Sequence, residues 1–491
     1  MKIKEKISAI TKNQWILYIC LALYLIIALS LYAFTTSPLY PNDYGWDSAY
    51  YRFIGKSMLE GKTPYVDIWD NKGIVLYFIQ ALGAINGTNN GKISFIYLMQ
   101  IAGMLLSTGF LYCANQKINK YKNRNLRFFI LVIFAETYLC TIIEGGNLTE
   151  DWSIPMICCS LYLFTSYAAN VKNELLHPRK YAFIHGICLG LVFFIRVNNC
   201  ISICMGVLVI GCFLFLNRQW KNILENILFG LLGFGLICAP VIFYLLSNEA
   251  FGEMIHAVFI NGLKLAGQGR NSTNLTGVEF FIRYAPIIIS YIFIVLKFIK
   301  NKSFCFLDMI ITAIVTGNAL FFVKHNAALH YFIIYVPVFL YAMIVYLDFS
   351  YKSVIEILIS FCLFFYSVSR CIEIGKVYFR PVHDPRYPTA SLYIPKAERN
   401  SAIAVDIPAD IYLQTGIKPC SRFAAYQTGQ FSIDPDLKKE FIKSIESANP
   451  RWIIALCDKK DQMDYISGLI DEKYEYRFSD VPTCFYHLIE P

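Results

Sequence analysis

The chain has 491 residues, of which 56% are apolar and only 16% are charged, and its mean hydropathy is +0.47. Soluble globular proteins carry about 25% charged residues, so this composition excludes an ordinary soluble enzyme and indicates a polytopic membrane protein. The net charge of +9 does not indicate nucleic-acid binding, because lysines and arginines concentrate in short linkers between apolar runs, where they set membrane topology.

The N-terminal segment predicts a membrane anchor. Residues 1–14 carry four lysines and one glutamate, and residues 15–34 form an apolar run of bilayer length without a convincing signal-peptide cleavage site. The positive-inside rule then places the N-terminus in the cytoplasm and the large first loop, residues 35–92, outside. The apolar piece 73–86 in this loop is too short to cross, so we expect an interfacial or re-entrant helix there.

The basic linkers predict the remaining topology. Residues 116–127 contain five lysines and arginines and no acid, so they belong in the cytoplasm, after a span at 93–114. The chain then crosses about eleven times in all, with the C-terminus outside. The further spans are predicted at 128–146, 152–169, 181–197, 199–216, 227–247, 285–301, 304–323, 330–348 and 353–370.

The composition becomes mixed and polar near the C-terminus. The runs SAIAVDI and RWIIALC predict strands, residues 435–448 and 461–472 predict amphipathic helices, and YEYRF with TCFYHLI predicts a terminal hairpin. The fold class is therefore an α-helical polytopic membrane protein, with a transmembrane module over 1–370 and a small extracytoplasmic α/β domain over 371–491.

Cysteine usage points away from a zinc site. Most of the sixteen cysteines lie in apolar runs, where cysteine acts as a small hydrophobic residue, and no Cys/His cluster has zinc spacing. Cys420, Cys457 and Cys484 lie in the C-terminal domain and can form one disulfide, whose pairing the spacing leaves open.

Polar side chains gather at the outer membrane face. Each alone has a structural explanation, such as solvation at a span end or capping of the next helix by Glu150 or Asp151. Together, carboxylates and cations at one depth suit a substrate with a lipid tail and a phosphate head: cations hold the phosphate and a carboxylate acts as general base. The candidates are Asp47, Asp67, Asp70, Lys72, Glu150, Arg196, His330 and Tyr331.

Four segments carry a family resemblance: WDSAYY (46–51), GKTPYVDIWDNKG (61–73), GNLTED (146–151) and HYFIIYVP (330–337). Their order resembles the bacterial membrane glycosyltransferases of the GT-C superfamily, related to protein O-mannosyltransferases and to the aminoarabinose transferase that modifies lipid A. The resemblance covers essentially the whole chain. It implies transfer of a sugar, with inversion, from a polyprenyl-phosphate donor to a lipid, glycan or protein acceptor at the outer face of the bacterial cytoplasmic membrane.

The resemblance also implies residue roles. Asp47 matches the aspartate that opens the first-loop motif, the family's candidate catalytic base, although Ser48 follows where many relatives have glutamate. Lys72 matches a motif lysine, with Ile74 in place of the usual proline, and Glu150 matches the acidic residue after the second loop.

The other candidates have substrate-binding roles under this resemblance. His330 and Tyr331 match an H-Y pair near the expected donor phosphate, and Arg196 is a candidate beside them. Asp67 and Asp70 are expected to bind acceptor hydroxyls or a divalent ion, or to hold the loop. No cofactor is expected, because the phosphate leaving group travels with the lipid; a divalent cation stays open.

Three alternatives remain. A transporter or flippase predicts inverted repeats and broken mid-membrane helices, and the sequence shows no repeat. A lipid-linked glycan polymerase or ligase predicts arginines in a late outer loop, and the 248–284 loop carries Lys264, Arg270 and Arg283. A sensor with a ligand-binding C-terminal domain leaves the first-loop charges unexplained.

Overall fold

The computed structural model describes residues 14–40, 45–87, 93–119, 124–267, 277–325, 328–347, 388–426, 431, 434–457 and 464–489. The chain forms two compact units, each built from three segments. Unit 1 comprises Met1–Phe34, Leu98–Val241 and Gly269–Phe379, and unit 2 comprises Thr35–Tyr97, Ile242–Gln268 and Arg380–Pro491.

Helices dominate the chain up to residue 347. In chain order they are α1 (Gln14–Tyr32), α2 (Trp46–Leu59), α3 (Ile74–Ala84), α4 (Phe95–Ile118), α5 (Arg124–Ile142), α6 (Thr149–Asn170), α7 (Arg179–Phe193), α8 (Ile201–Leu216), α9 (Trp220–Ser247), α10 (Gly277–Asn301), α11 (Phe306–His325) and α12 (Val336–Tyr346). A helical stretch between α9 and α10 is α-helical at Phe251–Met254 and Asn261–Gly267 and π-helical at Ile255–Ile260. Turns of 3-10 helix, Val197–Cys200 and Leu329–Tyr335, precede α8 and α12.

Eight helices in the described part of the chain are long and apolar enough to cross a membrane. Helices are stable in the hydrocarbon core of a bilayer because each backbone N–H and C=O finds a hydrogen-bond partner within its own helix. These helices are Phe95–Ile118, Arg124–Ile142, Thr149–Asn170, Val197–Leu216, Trp220–Ser247, Arg283–Asn301, Phe306–Val323 and Leu329–Tyr346.

The other predicted spans have separate outcomes. A helix is present at the predicted first span, with a shorter apolar part at Ile16–Tyr32. Helix α7 has 15 residues and ends at Phe193, so it covers only part of the predicted span 181–197. The predicted span 353–370 lies outside the described residues. Helix α3 has 11 residues, about 17 Å of helix, which cannot cross a hydrocarbon core of about 30 Å. The short helix predicted at 73–86 is present as Ile74–Ala84, and its interfacial or re-entrant position stays a prediction.

Unit 1 buries charge as ion pairs between its helices. Asp308 at the start of α11 is 2% exposed and accepts a hydrogen bond of 2.7 Å from Lys297 on α10. Its other carboxylate oxygen accepts the backbone N–H of Cys305 at 2.9 Å. The aspartate therefore caps its own helix and neutralises a lysine near the end of the preceding span.

The C-terminal part of unit 2 is a five-stranded mixed sheet with the order β2-β1-β3-β5-β4. Strand β1 is parallel to β2 and β3, whereas β5 is antiparallel to β3 and β4. The strands are β1 (Ala402–Val405), β2 (Ala425–Tyr426), β3 (Trp452–Leu456), β4 (Tyr474–Asp480) and β5 (Thr483–Leu488). Helices Pro388–Tyr393, Asp410–Thr415, Pro435–Ala448 and Asp464–Lys473 accompany them.

Most of the predictions for this region are confirmed. The two predicted single strands, the terminal hairpin and the helix at 435–448 are present, and strands β1 and β3 are buried because their side chains are apolar on both faces. A disulfide joins Cys457, just after β3, to Cys484 on β5, while Cys420 is a free thiol.

Candidate functional site

Helix α2 brings the predicted base into its first turn. Gly45 precedes the helix with φ 115°, and Asp47 follows it, half-buried. A carboxylate is favourable here because the N-terminus of a helix carries partial positive charge. Tyr51 lies one turn later on the same face, and its hydroxyl donates a hydrogen bond of 3.1 Å to Asp47 Oδ2.

Tyrosines shape the loop that follows α2. Tyr65 is fully buried with φ 73°, and its hydroxyl donates to the carbonyl oxygen of Lys72 at 2.7 Å. Its backbone N–H donates to the carbonyl oxygen of Ile68, also at 2.7 Å. The hydroxyl of Tyr50 on α2 donates to the carbonyl oxygen of Trp69. These hydroxyls satisfy backbone carbonyls that would otherwise be buried without partners, so the loop has a defined conformation.

Asp70 and Lys72 lie close together in this loop. Asp70 is 2% exposed and accepts a 2.5 Å hydrogen bond from the hydroxyl of Tyr77 on α3. Burial raises the pKa of the Asp70 carboxyl above its ordinary value of 3.8, although the Lys72 charge and the Tyr77 hydrogen bond act in the opposite direction. The Asp47 charge raises this pKa further.

Tyr51 contacts both Asp47 and Lys72, the lysine that lies close to Asp70. The Lys72 ammonium lies 6.0 Å from the centre of the Tyr51 ring and donates a hydrogen bond of 2.6 Å to Asn71 Oδ1. We call Asp47, Tyr51, Asp70, Lys72 and Tyr77 the first-loop cluster. It combines a partly accessible carboxylate with an ammonium group, so it can accept a proton and hold an anion.

Asp67 has a different role in the same loop. Its carboxylate accepts the backbone N–H of Thr63 at 2.7 Å and lies 3.6 Å from the ammonium of Lys62. These contacts close a turn at the start of the loop. Asp67 therefore stabilises the backbone that carries Asp70 and Lys72.

Arg422 anchors the first loop to two other segments of unit 2. Its guanidinium donates to the carbonyl oxygen of Tyr65 at 3.1 Å, to Glu253 at 2.8 Å and to Glu440 at 2.7 Å. Its own carbonyl oxygen accepts the N–H of Trp69 at 2.8 Å. Burial disfavours the charged guanidinium, but the two carboxylates outweigh it and raise the pKa of Arg422.

A second group of predicted residues assembles in unit 1. Arg196 donates a hydrogen bond to Glu150, and their side chains are 16% and 2% exposed. The guanidinium also lies over the ring of Tyr331, 4.1 Å from its centre. Thr149 completes the contact, because its hydroxyl donates to Glu150 at 2.8 Å. We call Glu150, Arg196 and Tyr331 the Glu150 cluster.

The loop before α6 positions this cluster. All four residues from Glu144 to Asn147 have positive φ, between 49° and 92°, a conformation that favours the two glycines of GGN. Asp151 accepts the backbone N–H groups of Asn147 and Leu148 at 2.9 and 2.5 Å, so Asp151 rather than Glu150 supplies the expected helix cap.

His330 lies beside the same loop. Its Nδ1 is 2.8 Å from the carboxylate of Glu144, and its ring meets the ring of Tyr331 edge-on at 4.7 Å. The histidine therefore contacts both the loop and the aromatic ring on which Arg196 stacks.

Asn199 fixes the start of α6. Its side-chain amide donates to the carbonyl oxygen of Thr149 at 3.0 Å and to the hydroxyl of Ser153 at 2.9 Å.

The structure thus brings the predicted residues together in two groups. Asp47, Asp70 and Lys72 meet in unit 2, with Asp67 in the same loop, and Glu150, Arg196, His330 and Tyr331 assemble in unit 1. Sequence reasoning missed Tyr51, whose four-residue spacing from Asp47 was a usable signal. It also missed Arg422, whose contacts with the first loop have no local signal. Within the described ranges, no group of three or more His, Cys, Asp and Glu side chains is placed to hold a metal ion.

Comparison with solved structures shows the fold. The aminoarabinose transferase ArnT from Cupriavidus metallidurans, bound to undecaprenyl phosphate, aligns over 96% of this chain and 97% of its own, with 12% identity and a TM-score of 0.60. Its apo form aligns with 11% identity and a TM-score of 0.60, over 97% of this chain and 98% of its own. The archaeal oligosaccharyltransferase AglB from Archaeoglobus fulgidus, with an inhibitory peptide and dolichol-phosphate, aligns over 98% of this chain and 75% of its own, with 12% identity and a TM-score of 0.53.

Comparison with sequences gives the family. No curated protein sequence matches this chain. The sequence model described as the putative competence-induced protein Ccs4 N-terminal domain matches residues 5–358, which is well over half of the chain. This match shows that the chain belongs to the Ccs4 N-terminal domain family, and the structural comparison shows that it shares the fold of ArnT and AglB.

Proposed function

We propose that this protein is an inverting membrane glycosyltransferase that moves a sugar from a polyprenyl-phosphate donor to an acceptor at the outer face of the cytoplasmic membrane. The observation that carries the proposal is the fold match over almost the whole chain to ArnT bound to undecaprenyl phosphate. AglB, with dolichol-phosphate, is a second protein of the same fold with a lipid phosphate. A donor with a lipid tail is therefore the substrate class that the comparison favours.

The first-loop cluster supplies the chemistry in this proposal. Asp47 is the general base, because it is half-buried at the start of a helix and its carboxylate is oriented by the Tyr51 hydroxyl. It removes the proton from the acceptor hydroxyl, whose oxygen then attacks the anomeric carbon. The bond from that carbon to the phosphate oxygen breaks, and the lipid phosphate leaves with the bonding electrons. Lys72 stabilises the negative charge on the phosphate.

The Glu150 cluster has a supporting role in the proposal. Arg196 already pairs with Glu150 and stacks on Tyr331, so its charge is partly balanced before any substrate binds. We propose that Arg196, with His330, contacts the donor while Glu150 keeps the guanidinium in place. Arginine is suited to this because its planar fork matches phosphate oxygens.

The direct test is a donor panel. Purified protein in nanodiscs is incubated with radiolabelled polyprenyl-phosphate sugars, both hexoses and pentoses, and with a lipid-linked oligosaccharide, and donor consumption is measured. Asp47→Asn keeps the shape of the side chain but cannot act as base, so we expect turnover to fall by about 10²–10⁴-fold. Asp436→Asn, an 89% exposed carboxylate in the C-terminal region, is the matched control with expected normal turnover.

Each outcome assigns the function. Consumption of a monosaccharide donor that depends on Asp47 supports the proposal and identifies the sugar. Consumption of the oligosaccharide alone favours a polymerase or ligase. If wild type and Asp47→Asn consume a donor equally, Asp47 is not the base. Running each arm with and without a chelator decides whether a divalent cation takes part.

A further inference from the structure

Helix α2 carries two basic side chains, Arg52 and Lys56, on the side facing away from Asp47. Successive helical residues are rotated by about 100°, so Arg52 lies about 140° and Lys56 about 180° around the helix from Asp47. Arg52 is 6% exposed and Lys56 is half-buried one turn later. These two cations are therefore separate from the first-loop cluster, although they share its helix.

Both cations line a cavity of about 280 Å³ within unit 2. Gln80 on α3 adds a third polar side chain, and Ile96 and Leu413 are among its apolar residues. Among the described residues that line it, two side chains are positive and none is negative. The cavity therefore offers an anion two charge-assisted hydrogen-bond donors and one amide donor.

A close approach of α2 and α3 builds this arrangement. A Cβ atom added to Gly55 would lie 2.4 Å from the backbone of Gln80, so only glycine at this position lets the two helices come so close. The contact fixes Gln80, which is 1% exposed, near the polar residues of α2. Gly83 and Ala84, on the same helix, also line the cavity, and Gly83 packs closely against Ile96.

The buried charge gives an anion a reason to bind. Burial lowers the pKa of Arg52 to about 10. The guanidinium is therefore still charged at neutral pH, although its charged form is less stable than it would be in water. A cation that lines a buried cavity attracts an anion more strongly than it would in water, in addition to the contacts that it already makes. A guanidinium also matches a phosphate group with two parallel hydrogen bonds.

The position of the cavity selects the source of the phosphate. Ile96 belongs to the first turn of α4, a helix long and apolar enough to span a membrane. The end of such a helix lies at the polar headgroup region of a bilayer, where a guanidinium or ammonium group can bind the phosphate of an anionic lipid. We propose that the cavity lined by Arg52, Lys56 and Gln80 binds the phosphate of an anionic phospholipid, at a site that takes no part in sugar transfer.

The test measures lipid retention and stabilisation on the full-length protein. Delipidated protein is mixed with phosphatidylglycerol, phosphatidylcholine, or inorganic phosphate, and is followed by native mass spectrometry and thermal unfolding. A ligand that binds only the native state raises Tm. We expect phosphatidylglycerol alone to be retained and to raise Tm, and Arg52→Gln to weaken its binding about tenfold or more.

Two further variants keep the proposal falsifiable. Lys56→Gln, at the half-buried position, tests the site if Arg52→Gln fails to fold, and it should also weaken lipid binding. Lys418→Gln is the control, because Lys418 is 59% exposed in the same unit and pairs with Glu60. Equal losses in Lys56→Gln and Lys418→Gln would overturn the proposal, and so would equal stabilisation by inorganic phosphate or phosphatidylcholine. Donor turnover is not part of the readout, so failure here does not bear on the transferase proposal.

Discussion

The guanidinium of Arg422 donates a hydrogen bond of 3.1 Å to the carbonyl oxygen of Tyr65, across 357 positions of sequence. Tyr65 is fully buried and has positive φ, and its hydroxyl in turn bonds the carbonyl oxygen of Lys72. The C-terminal part of unit 2 is thereby connected, through one buried tyrosine, to the lysine that the proposal places at the donor phosphate.

We therefore expect Arg422→Ala to affect both stability and turnover. Loss of its hydrogen bonds to the Tyr65 carbonyl and the two carboxylates should reduce the free energy of unfolding by about 1–3 kcal/mol and lower donor turnover, because the loop carrying Lys72 loses its anchor. Thermal unfolding and the donor assay measure the two effects. Lys418→Ala removes an exposed ion pair to Glu60 and should change neither; equal losses in the two variants would contradict a positioning role for Arg422.

Lys72→Ala should separate binding from folding. The Lys72 ammonium contacts the Asn71 side chain and the face of Tyr51, and its charge stabilises the ionised Asp70 carboxylate, so its loss should lower Tm modestly and leave the protein folded. If it holds the donor phosphate, the apparent KM for the donor should rise about tenfold or more. Lys62→Ala, a 59% exposed lysine of the same loop, is the control. An unchanged donor KM in Lys72→Ala would exclude the phosphate role.

Asp70 should give the protein a measurable pH dependence of stability. Its pKa is raised in the folded state, so between 3.8 and the raised value the folded protein keeps a proton that the unfolded chain has lost. The contribution of the Asp70 carboxyl to the free energy of unfolding therefore falls as pH rises through that window and is constant above it. Asp70→Asn should remove this slope while the amide oxygen still accepts from Tyr77.

The slope is measured as the difference in unfolding free energy between wild type and Asp70→Asn across pH. Asp67→Asn provides the comparison, because Asp67 is a more accessible carboxylate in the same loop and closes a turn rather than lying in the buried cluster. A constant difference between Asp70→Asn and wild type at every pH would show that burial of Asp70 has no proton linkage.

The Glu150–Arg196 pair should behave as a buried ion pair. Removing one partner leaves the other charge without its main counter-charge, so Glu150→Gln should reduce the free energy of unfolding by about 3 kcal/mol. The double variant with Arg196→Gln should lose less than the sum of the single losses, because the two residues are coupled. Thermal unfolding of all four proteins completes the cycle.

An exposed pair in the same unit is the matched control for this cycle. Arg179 and Glu225 lie 2.6 Å apart with side chains 55% and 23% exposed. Solvent screens such pairs, so the corresponding cycle should show little coupling. Equal coupling in the two cycles would mean that burial does not strengthen the Glu150–Arg196 interaction.

Local patterns predicted the elements whose side chains repeat with a clear period. The helix at Pro435–Ala448 agrees with its predicted limits because its apolar residues recur at helical spacing, and β1 and β3 were evident as short apolar runs. Strand β2 was missed because two residues, Ala425–Tyr426, carry no period.

The site was predictable in its residue types but not in its contacts. The charges of the first loop and of the GGNLTED loop stand out because charge is rare in this chain. Their partners depend on tertiary structure: Glu150 pairs with Arg196, 46 positions away, and Arg422 reaches Tyr65 across 357 positions. Tyr77, which donates to Asp70, resembled any other aromatic residue of an apolar helix.

The discontinuity of unit 2 has a consequence for biosynthesis. The ribosome synthesises Thr35–Tyr97 before Arg380–Pro491, yet the N–H of Trp69 donates to the carbonyl oxygen of Arg422 and the ring of Phe53 packs on Tyr412. The first loop can therefore make these contacts only after Arg380–Pro491 has been synthesised. A nascent chain released before that segment would contain every residue of the first-loop cluster and still lack the hydrogen bonds of Arg422 to Tyr65 and Trp69.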